Sequence, residues 1–431
     1  MKKVIIKNWL YAAAFVPMAF VSCKKNYYPM PASGHTITVE NVLQSQPLVE
    51  SGTFQGPNKV ILPGESSSFT FSAAKGQAVT FATMYGWSND LFFAPANPGI
   101  MLYDANGAPI QGDVSSQIKL WDNGTRINQQ PGANVQHPGT PETTPLNITE
   151  VNGKDAQGNS YLAASSLMHA SLKYNGNSMF TLTIENVSGG TANETPFSPG
   201  VWAISYVVGG KMLMPNPIYE AGKPSANGLT NIAEMGNITN LNTYLNGITG
   251  IFTPLSPVLL VIYNGISNPI FKTGETDEGH GLTNIAQMGD ASHLADYLKT
   301  VKGVKSVYLL PAANSTVLLP EMNGQPGSSV SQKVSLGSGD KIAIATMYGL
   351  SNDWFFAGES GMNTTHNGGL YFQVGLYDDG TAVNEFPGAG NRQAAFGGTP
   401  LPENKPITEV PNPNAFTTLP DISDIVKVTI Q

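Results

Sequence analysis

Cysteine is almost missing: Cys23 is the only one in 431 residues. That excludes a disulfide framework and, beyond residue 23, any thiolate chemistry. Charge is scarce too. Charged residues make up 12% of the chain, about half the usual ~25%. The 22 Lys and Arg form no basic block and the formal net charge is -8. Nucleic-acid binding and polybasic membrane docking are thereby excluded. No apolar run approaches the roughly 20 residues that a membrane-spanning helix needs. Enzyme signatures are lacking as well. There is no Gly-x-Ser-x-Gly, no His-Glu-x-x-His, no P-loop and no Gly-x-Gly-x-x-Gly after a strand. The six histidines, at 35, 137, 169, 280, 293 and 366, are scattered without metal-ligand spacing. A non-enzymatic protein is expected.

What is present points to strands. Apolar residues are 41% of the chain, ample for a large core. The 46 glycines and 31 prolines, with many Asn-Gly pairs, favour short strands joined by turns. The start of the chain reads as an address. Lys2, Lys3 and Lys7 precede the 13-residue apolar run 9–21, the length of a signal-peptide core. The run ends in Phe20-Val21-Ser22-Cys23, which resembles a bacterial lipobox with Cys23 as the acylated first residue of the mature protein. The alternative is an ordinary buried thiol beside a plain cleavage site. The first reading gives a signal peptide over 1–22 and a lipidated linker over 23–35. It places the protein in the cell envelope, on the outer membrane of a Gram-negative bacterium.

The sequence repeats itself at two scales, the observation to seek first in any chain. Ala82-Thr-Met-Tyr-Gly-Trp-Ser-Asn-Asp-Leu-Phe-Phe-Ala94 returns 263 residues later as Ala345-Thr-Met-Tyr-Gly-Leu-Ser-Asn-Asp-Trp-Phe-Phe-Ala357, identical at eleven of thirteen positions. Leu120-Trp-Asp-Asn-Gly-Thr125 returns as Leu376-Tyr-Asp-Asp-Gly-Thr381, Pro131-Gly-Ala as Pro387-Gly-Ala, and Ile148-Thr-Glu-Val151 as Ile407-Thr-Glu-Val410. A duplicated domain follows. A smaller repeat pairs Gly228-Leu-Thr-Asn-Ile-Ala-Glu-Met-Gly236 with Gly281-Leu-Thr-Asn-Ile-Ala-Gln-Met-Gly289. These readings divide the chain at 36–175 and 177–431, with the doubled unit at 195–302 in the second part.

Periodicity supplies the elements. Segments 68–72, 78–82, 341–345 and 425–430 alternate as half-buried strands. Val258-Leu-Leu-Val-Ile-Tyr263 reads as a strand buried on both faces. Segments 229–235 and 282–288 read as short helices, each closed by a glycine. The expected fold class is all-β, with two tandem antiparallel β-sandwiches, the second carrying the duplicated strand and short-helix insertion.

The repeated Met-Tyr-Gly-(Trp/Leu)-Ser-Asn-Asp-(Leu/Trp)-Phe-Phe-Ala and Leu-(Trp/Tyr)-Asp-(Asn/Asp)-Gly-Thr blocks resemble the spondin domain, the module of F-spondin and mindin. The Gly-Leu-Thr-Asn-Ile-Ala-Glu-Met-Gly unit, preceded by Phe197-Ser198-Pro199, resembles the helical segment before that domain's core. The resemblance covers nearly the whole mature chain. It implies a sandwich with a calcium ion (Ca2+) among the loops at one end, and adhesion or ligand binding rather than catalysis. Two of its acidic ligand positions match Asp90 and Asp122 in the first copy and Asp353 and Asp378 in the second. No glutamate matches its third. The sequence departs from the pattern because the first copy lacks the helical segment while the second has it twice.

Calcium takes six to eight oxygen ligands, and all four aspartates sit where strands run into loops. The same residues also serve as ordinary turn formers, since Asp before Gly is common in turns. Asp379 and Glu385 add charge near the second pair. Asp104-Ala-Asn-Gly107 lacks the later Glu of a calcium loop and reads as a hairpin turn. The aromatics Trp87, Phe92, Phe93, Trp354, Phe355 and Phe356 are expected in the core, with an exposed contact pair as the other reading. The function expected is a calcium-binding adhesion or ligand-binding lipoprotein, its partner an extracellular protein or glycan. The alternative is a glycan-binding protein or glycan-processing hydrolase, whose paired carboxylates no sequence spacing would reveal.

Overall fold

The structure is a computed structural model that describes residues 33–312, 317–358, 363–366 and 369–431. The expected signal peptide, Cys23 and most of the linker lie outside the described residues.

The first series of elements is β1 (Ser33–Asn41), β2 (Leu48–Phe54), β3 (Ser66–Ser72), β4 (Ala78–Tyr85), β5 (Leu91–Pro95), β6 (Ile100–Met101), β7 (Gly112–Asp113), β8 (Ile118–Asp122), β9 (Thr149–Glu150), β10 (Met168–Gly176), β11 (Met179–Asn186) and β12 (Phe197–Ser205). A small hairpin, β13 (Val207–Val208) and β14 (Lys211–Met212), precedes the helices α1 (Leu229–Met235) and α2 (Thr239–Gly247). The second series is β15 (Val258–Tyr263), α3 (Leu282–Met288), α4 (Ser292–Leu298), β16 (Val304–Leu310), β17 (Ser329–Leu336), β18 (Lys341–Met347), β19 (Trp354–Ala357), β20 (Asn363–His366), β21 (Gly369–Tyr371), β22 (Gly375–Asp378), β23 (Thr408–Glu409) and β24 (Val426–Ile430).

These strands build two sandwiches. In the first, a large sheet ordered β2-β12-β4-β5-β8-β9 faces a smaller one ordered β3-β11-β10-β7. Phe69, Phe71, Leu172 and Phe180 of the small sheet meet Phe81, Phe93, Leu120 and Trp202 of the large one in a single core. The second sandwich repeats this with sheets β16-β15-β18-β19-β22-β23 and β17-β1-β24. Neighbouring strands in these sheets run antiparallel. The all-β class expected from composition is the class found.

Helices form a third layer. Ile232, Leu241 and Leu245 pack on the outer face of the first large sheet, against Ala82, Phe92, Ala94 and Val201. Leu282, Ile285 and Leu294 do the same in the second, against Val261, Ala343 and Phe355. The helices end where foreseen: Gly236 and Gly289 take φ of 63° and 72° at their C-termini, a backbone region that costs glycine little. This layer corrects one expectation. Strands β4 and β18 are not half-buried, because one face meets the opposite sheet and the other the helices. Strand β15 is buried on both faces as its unbroken apolar run indicates.

The domain boundaries 36–175 and 177–431 are also corrected. Strand β1 lies between β17 and β24 of the second sandwich. Strand β12 pairs with β2 and β4, so 197–247 completes the first sandwich. The unit at 195–302 is therefore not doubled within one domain; each sandwich owns one copy. In cyclic order the two are alike, with β11, β12, α1 and α2 answering to β1, β15, α3 and α4. The second sandwich is a circular permutation of the first, with the whole first sandwich inserted after its opening strand.

A third repeat encodes this. Thr36-Ile-Thr-Val-Glu-Asn-Val42 matches Thr181-Leu-Thr-Ile-Glu-Asn-Val187 at five of seven positions. The matching asparagines do the same work. Buried Asn41 donates from Nδ2 to the carbonyls of Thr253 and Leu318, each at 3.0 Å. Buried Asn186 donates to those of Ile61 at 2.9 Å and Thr195 at 2.7 Å. Such brackets satisfy loop carbonyls that burial would otherwise leave unpaired.

Candidate functional site

The two large repeats place four aspartates in two equivalent pockets. After β4, the Ser88 hydroxyl donates to the Tyr85 carbonyl at 2.7 Å and receives the Leu91 N–H at 3.1 Å. This tight turn drives Asp90 inward. After β18, Ser351 closes the same turn on Tyr348 and Trp354, at 2.8 and 3.0 Å, and drives Asp353 inward. Strand register then brings the second aspartate alongside: Leu91 pairs with Asp122, and Trp354 with Asp378.

Each inward aspartate is held by one oxygen only. Asp90 Oδ2 accepts from the N–H groups of Thr125 at 2.7 Å and Arg126 at 2.9 Å, and from Thr125 Oγ1 at 3.0 Å. Asp353 Oδ2 accepts from Thr381 N–H at 2.7 Å, Ala382 N–H at 2.8 Å and Thr381 Oγ1 at 3.3 Å. Both side chains are fully buried, and in both the Oδ1 atom has no partner. Asp122 and Asp378 accept from the N–H two residues on, at 2.7 and 2.8 Å, and from Asn128 and Asn384 at 2.6 Å.

Burial sets the protonation of these groups. Asp90 and Asp353 are each pushed up to about 7, first by loss of solvent and then by the charge of Asp122 or Asp378. Backbone and threonine donors oppose the shift without cancelling it. Asp122 is also raised, burial being the main cause.

Three substitutions at repeated positions separate the two pockets, and the second adds Asp277. The first has Asn123 where the second has Asp379, Arg126 where the second has Ala382, and Glu234 where the second has Gln287. In the first pocket the Arg126 guanidinium pairs with Glu234 at 2.8 Å, and Thr125 Oγ1 donates to Glu234 at 2.8 Å. That pocket carries its own cation. The second carries none in that place. Asp379 is fully buried, its Oδ1 has no partner, and it is pushed up to about 7 by burial and then by Asp277. Thr381 Oγ1 reaches Asp379 at 2.9 Å, and Thr283 Oγ1 reaches both Asp379, at 3.2 Å, and Asp277. The second pocket thus gathers four aspartates, two of them with a bare buried oxygen.

The bare atoms are informative because of their kind. In the second pocket Asp353 Oδ1 and Asp379 Oδ1 are both acceptors; in the first, Asp90 Oδ1, Asn123 Oδ1 and Asn128 Oδ1 are acceptors, but the Arg126 Nε donor is bare beside them. Acceptors without donors suit a hard cation. Among the described residues no three His, Cys, Asp or Glu side chains converge into a complete metal-holding group. A bound ion would draw on two carboxylates and fill its shell with amide or carbonyl oxygens and water.

Other expectations resolve simply. Phe92, Phe93, Phe355 and Phe356 are wholly buried and Trp354 nearly so, while Trp87 reaches the surface. The Asp104 segment is a turn, with Asp104 Oδ1 accepting from Asn106 and Ala108 N–H at 2.9 Å. Glu385 does not join the acidic pocket. Its carboxylate accepts from Ser178 Oγ of the first sandwich at 2.7 Å and from Arg392 N–H at 2.9 Å. The signal for Glu234 was legible, since Glu against Gln is the one difference in the repeated nonapeptide. Asp277 lies in no repeat and gave no signal. The chain matches no protein-family model and no curated protein.

Proposed function

We propose that the chain is a non-catalytic, lipid-anchored binding module of the cell envelope, with spondin-like sandwiches and a calcium ion held in the second. Cys23 attaches it to the outer membrane, and an extracellular protein or glycan is its partner. One observation carries the calcium reading: Asp353 and Asp379 are buried, each with an unpartnered acceptor oxygen, and no arginine neutralises them. Burying a carboxylate without a counter-charge is costly. The cost is relieved either by a proton or by a cation, and outside the cell calcium is the abundant hard cation. In the first pocket Asp90, Asp122 and Glu234 share the Arg126 guanidinium, which leaves that pocket less negative than the four aspartates of the second. Asp90 and Asp122 therefore bind calcium more weakly than Asp353 and Asp378. A hydrolytic role is disfavoured because Asp90 and Asp353 are sealed from solvent and spend one oxygen on backbone N–H groups, whereas glycosidase carboxylates face a cleft.

Calorimetric titration of the full chain tests this. A single strong site is expected, with Kd of about 10⁻⁴ to 10⁻³ M, the range of extracellular modules. Asp353→Asn should remove it and Asp90→Asn should leave it. Equal loss in both variants, or no binding in the wild type, rejects the assignment.

A further inference from the structure

The two sandwiches meet end to end, and the Pro-Gly-Ala turn that is covered in the second is uncovered in the first. At the junction Tyr206 and Val208 of the first sandwich pack with Phe252, Leu350 and Ala389 of the second. The approach is close. A Cβ placed on Gly388 would lie 2.2 Å from the Tyr206 ring. Residues Pro387, Gly388 and Ala389 are buried there. Val207, Val208 and Gly209 line a groove with Pro254, Ser256, Met288 and Met347.

The repeat puts the same groove on the first sandwich, built from Met84, Trp87, Pro196, Ser198 and Met235. Met84 answers to Met347, Pro196 to Pro254, Ser198 to Ser256 and Met235 to Met288. The turn Pro131-Gly132-Ala133 answers to 387–389, and the N–H of Gly132 bonds the Trp87 carbonyl as that of Gly388 bonds Leu350. No segment among the described residues plays the part of Tyr206. A Cβ on Gly132 would meet nothing within 4 Å and Ala133 is exposed, whereas Gly388 and Ala389 are covered; the rim methionines Met235 and Met288 are alike, 58% and 60% exposed.

A second copy of the chain is poorly suited to fill this groove. Its β13–β14 hairpin is already engaged in its own junction. The matching connection in the second sandwich, from Tyr263 to Asn268, is six residues shorter than that from Ser205 to Asn216 and forms no such hairpin.

We propose that the groove around Trp87 and Met235 docks the apolar arm of a β-hairpin of another protein, one that presents an aromatic side chain followed by valine-like residues as Tyr206–Val208 does. This rests on the binding-module reading above and names the partner's chemistry; it does not require calcium.

The probe is a head-to-tail cyclised peptide carrying residues 204–214, titrated into the full-length chain in calcium and again in chelator. Saturable binding is expected in both buffers. Met235→Asp should weaken it at least tenfold while leaving the melting temperature unchanged, and so should Ala133→Asp at the exposed position that answers to buried Ala389. A control peptide with serine at the positions of Tyr206, Val207 and Val208 should not bind. Absence of binding, or binding indifferent to Met235→Asp, overturns the proposal. So does a concentration-dependent dimer that Met235→Asp abolishes, because the occupant would then be a second copy. Peptide binding with no response to calcium would reject the calcium site alone. Calcium binding with no peptide binding would reject the groove alone.

Discussion

The chemistry of the two pockets turns on single atoms. Asp353 offers one oxygen to backbone donors and leaves the other bare and buried. Its folded pKa of about 7 against an ordinary 3.8 fixes the sign of a pH effect. The folded state holds the proton more tightly than the unfolded one, so without a cation this group's stabilisation is complete below pH ~4 and is lost as pH rises through 7. In chelator, the melting temperature of the wild type should therefore fall across that window more steeply than that of Asp353→Asn. Saturating calcium should flatten the wild-type profile. Thermal unfolding from pH 4 to 8 checks this, and parallel profiles for wild type and variant would contradict it. The four aspartates were visible in the sequence because both copies repeat their turns. The neutralising Arg126 was not, because it sits just after a repeated block where the copies differ. Its partner Glu234 is 108 residues away and reaches it only through the packing of α1 on the sheet.

At the scale of elements, the central fact is that β1 belongs to the far end of the chain. Asn41 ties it to the carbonyls of Thr253 and Leu318. Removing a buried donor of this kind costs about 1–3 kcal/mol. Asn41→Ala should lower stability by that order, with amide protection lost in β17 and β24 and kept in β3 and β10. Asn186→Ala should do the reverse. Hydrogen exchange separates the outcomes, and loss of protection in β3 from Asn41→Ala would contradict the topology. Strand class, the helices at 229–235 and 282–288, and the duplication were legible from periodicity and repeats. The sharing of strands between the domains was not. Periodicity reports which face of a strand is buried but not which neighbour buries it. The seven-residue match between 36–42 and 181–187 is the signal that pairs β1 with β11 in role, and it is short and lies near one end of the chain.

At the scale of the whole molecule, the sandwiches stack with a polarity. Strand β1 begins beside Leu336, at the pole of the second sandwich opposite Leu350. The first sandwich caps the Leu350 pole through Gln77, which donates to the Gly388 carbonyl at 3.0 Å, and through the Ser178–Glu385 bond. The Trp87 groove therefore lies at the pole farthest from where residues before Ser33 enter the fold. If Cys23 is lipidated, the groove faces away from the membrane, as suits a surface that receives a partner. Cys23→Ser should move the protein from the membrane to the soluble fraction and abolish palmitate labelling; a variant that still pellets and still labels would contradict the anchor. The pocket proposed to hold calcium lies in the loops of the second sandwich that follow β18 and β22, near the junction. Ligand linkage there is worth about 2.7 kcal/mol at a hundredfold excess of calcium over Kd. The most direct test is anomalous diffraction from crystals grown in millimolar calcium. A calcium peak is expected at about 2.3–2.6 Å from Asp353 Oδ1, with a weaker peak or none beside Arg126. No peak at Asp353, or a strong one only at Asp90, would contradict it.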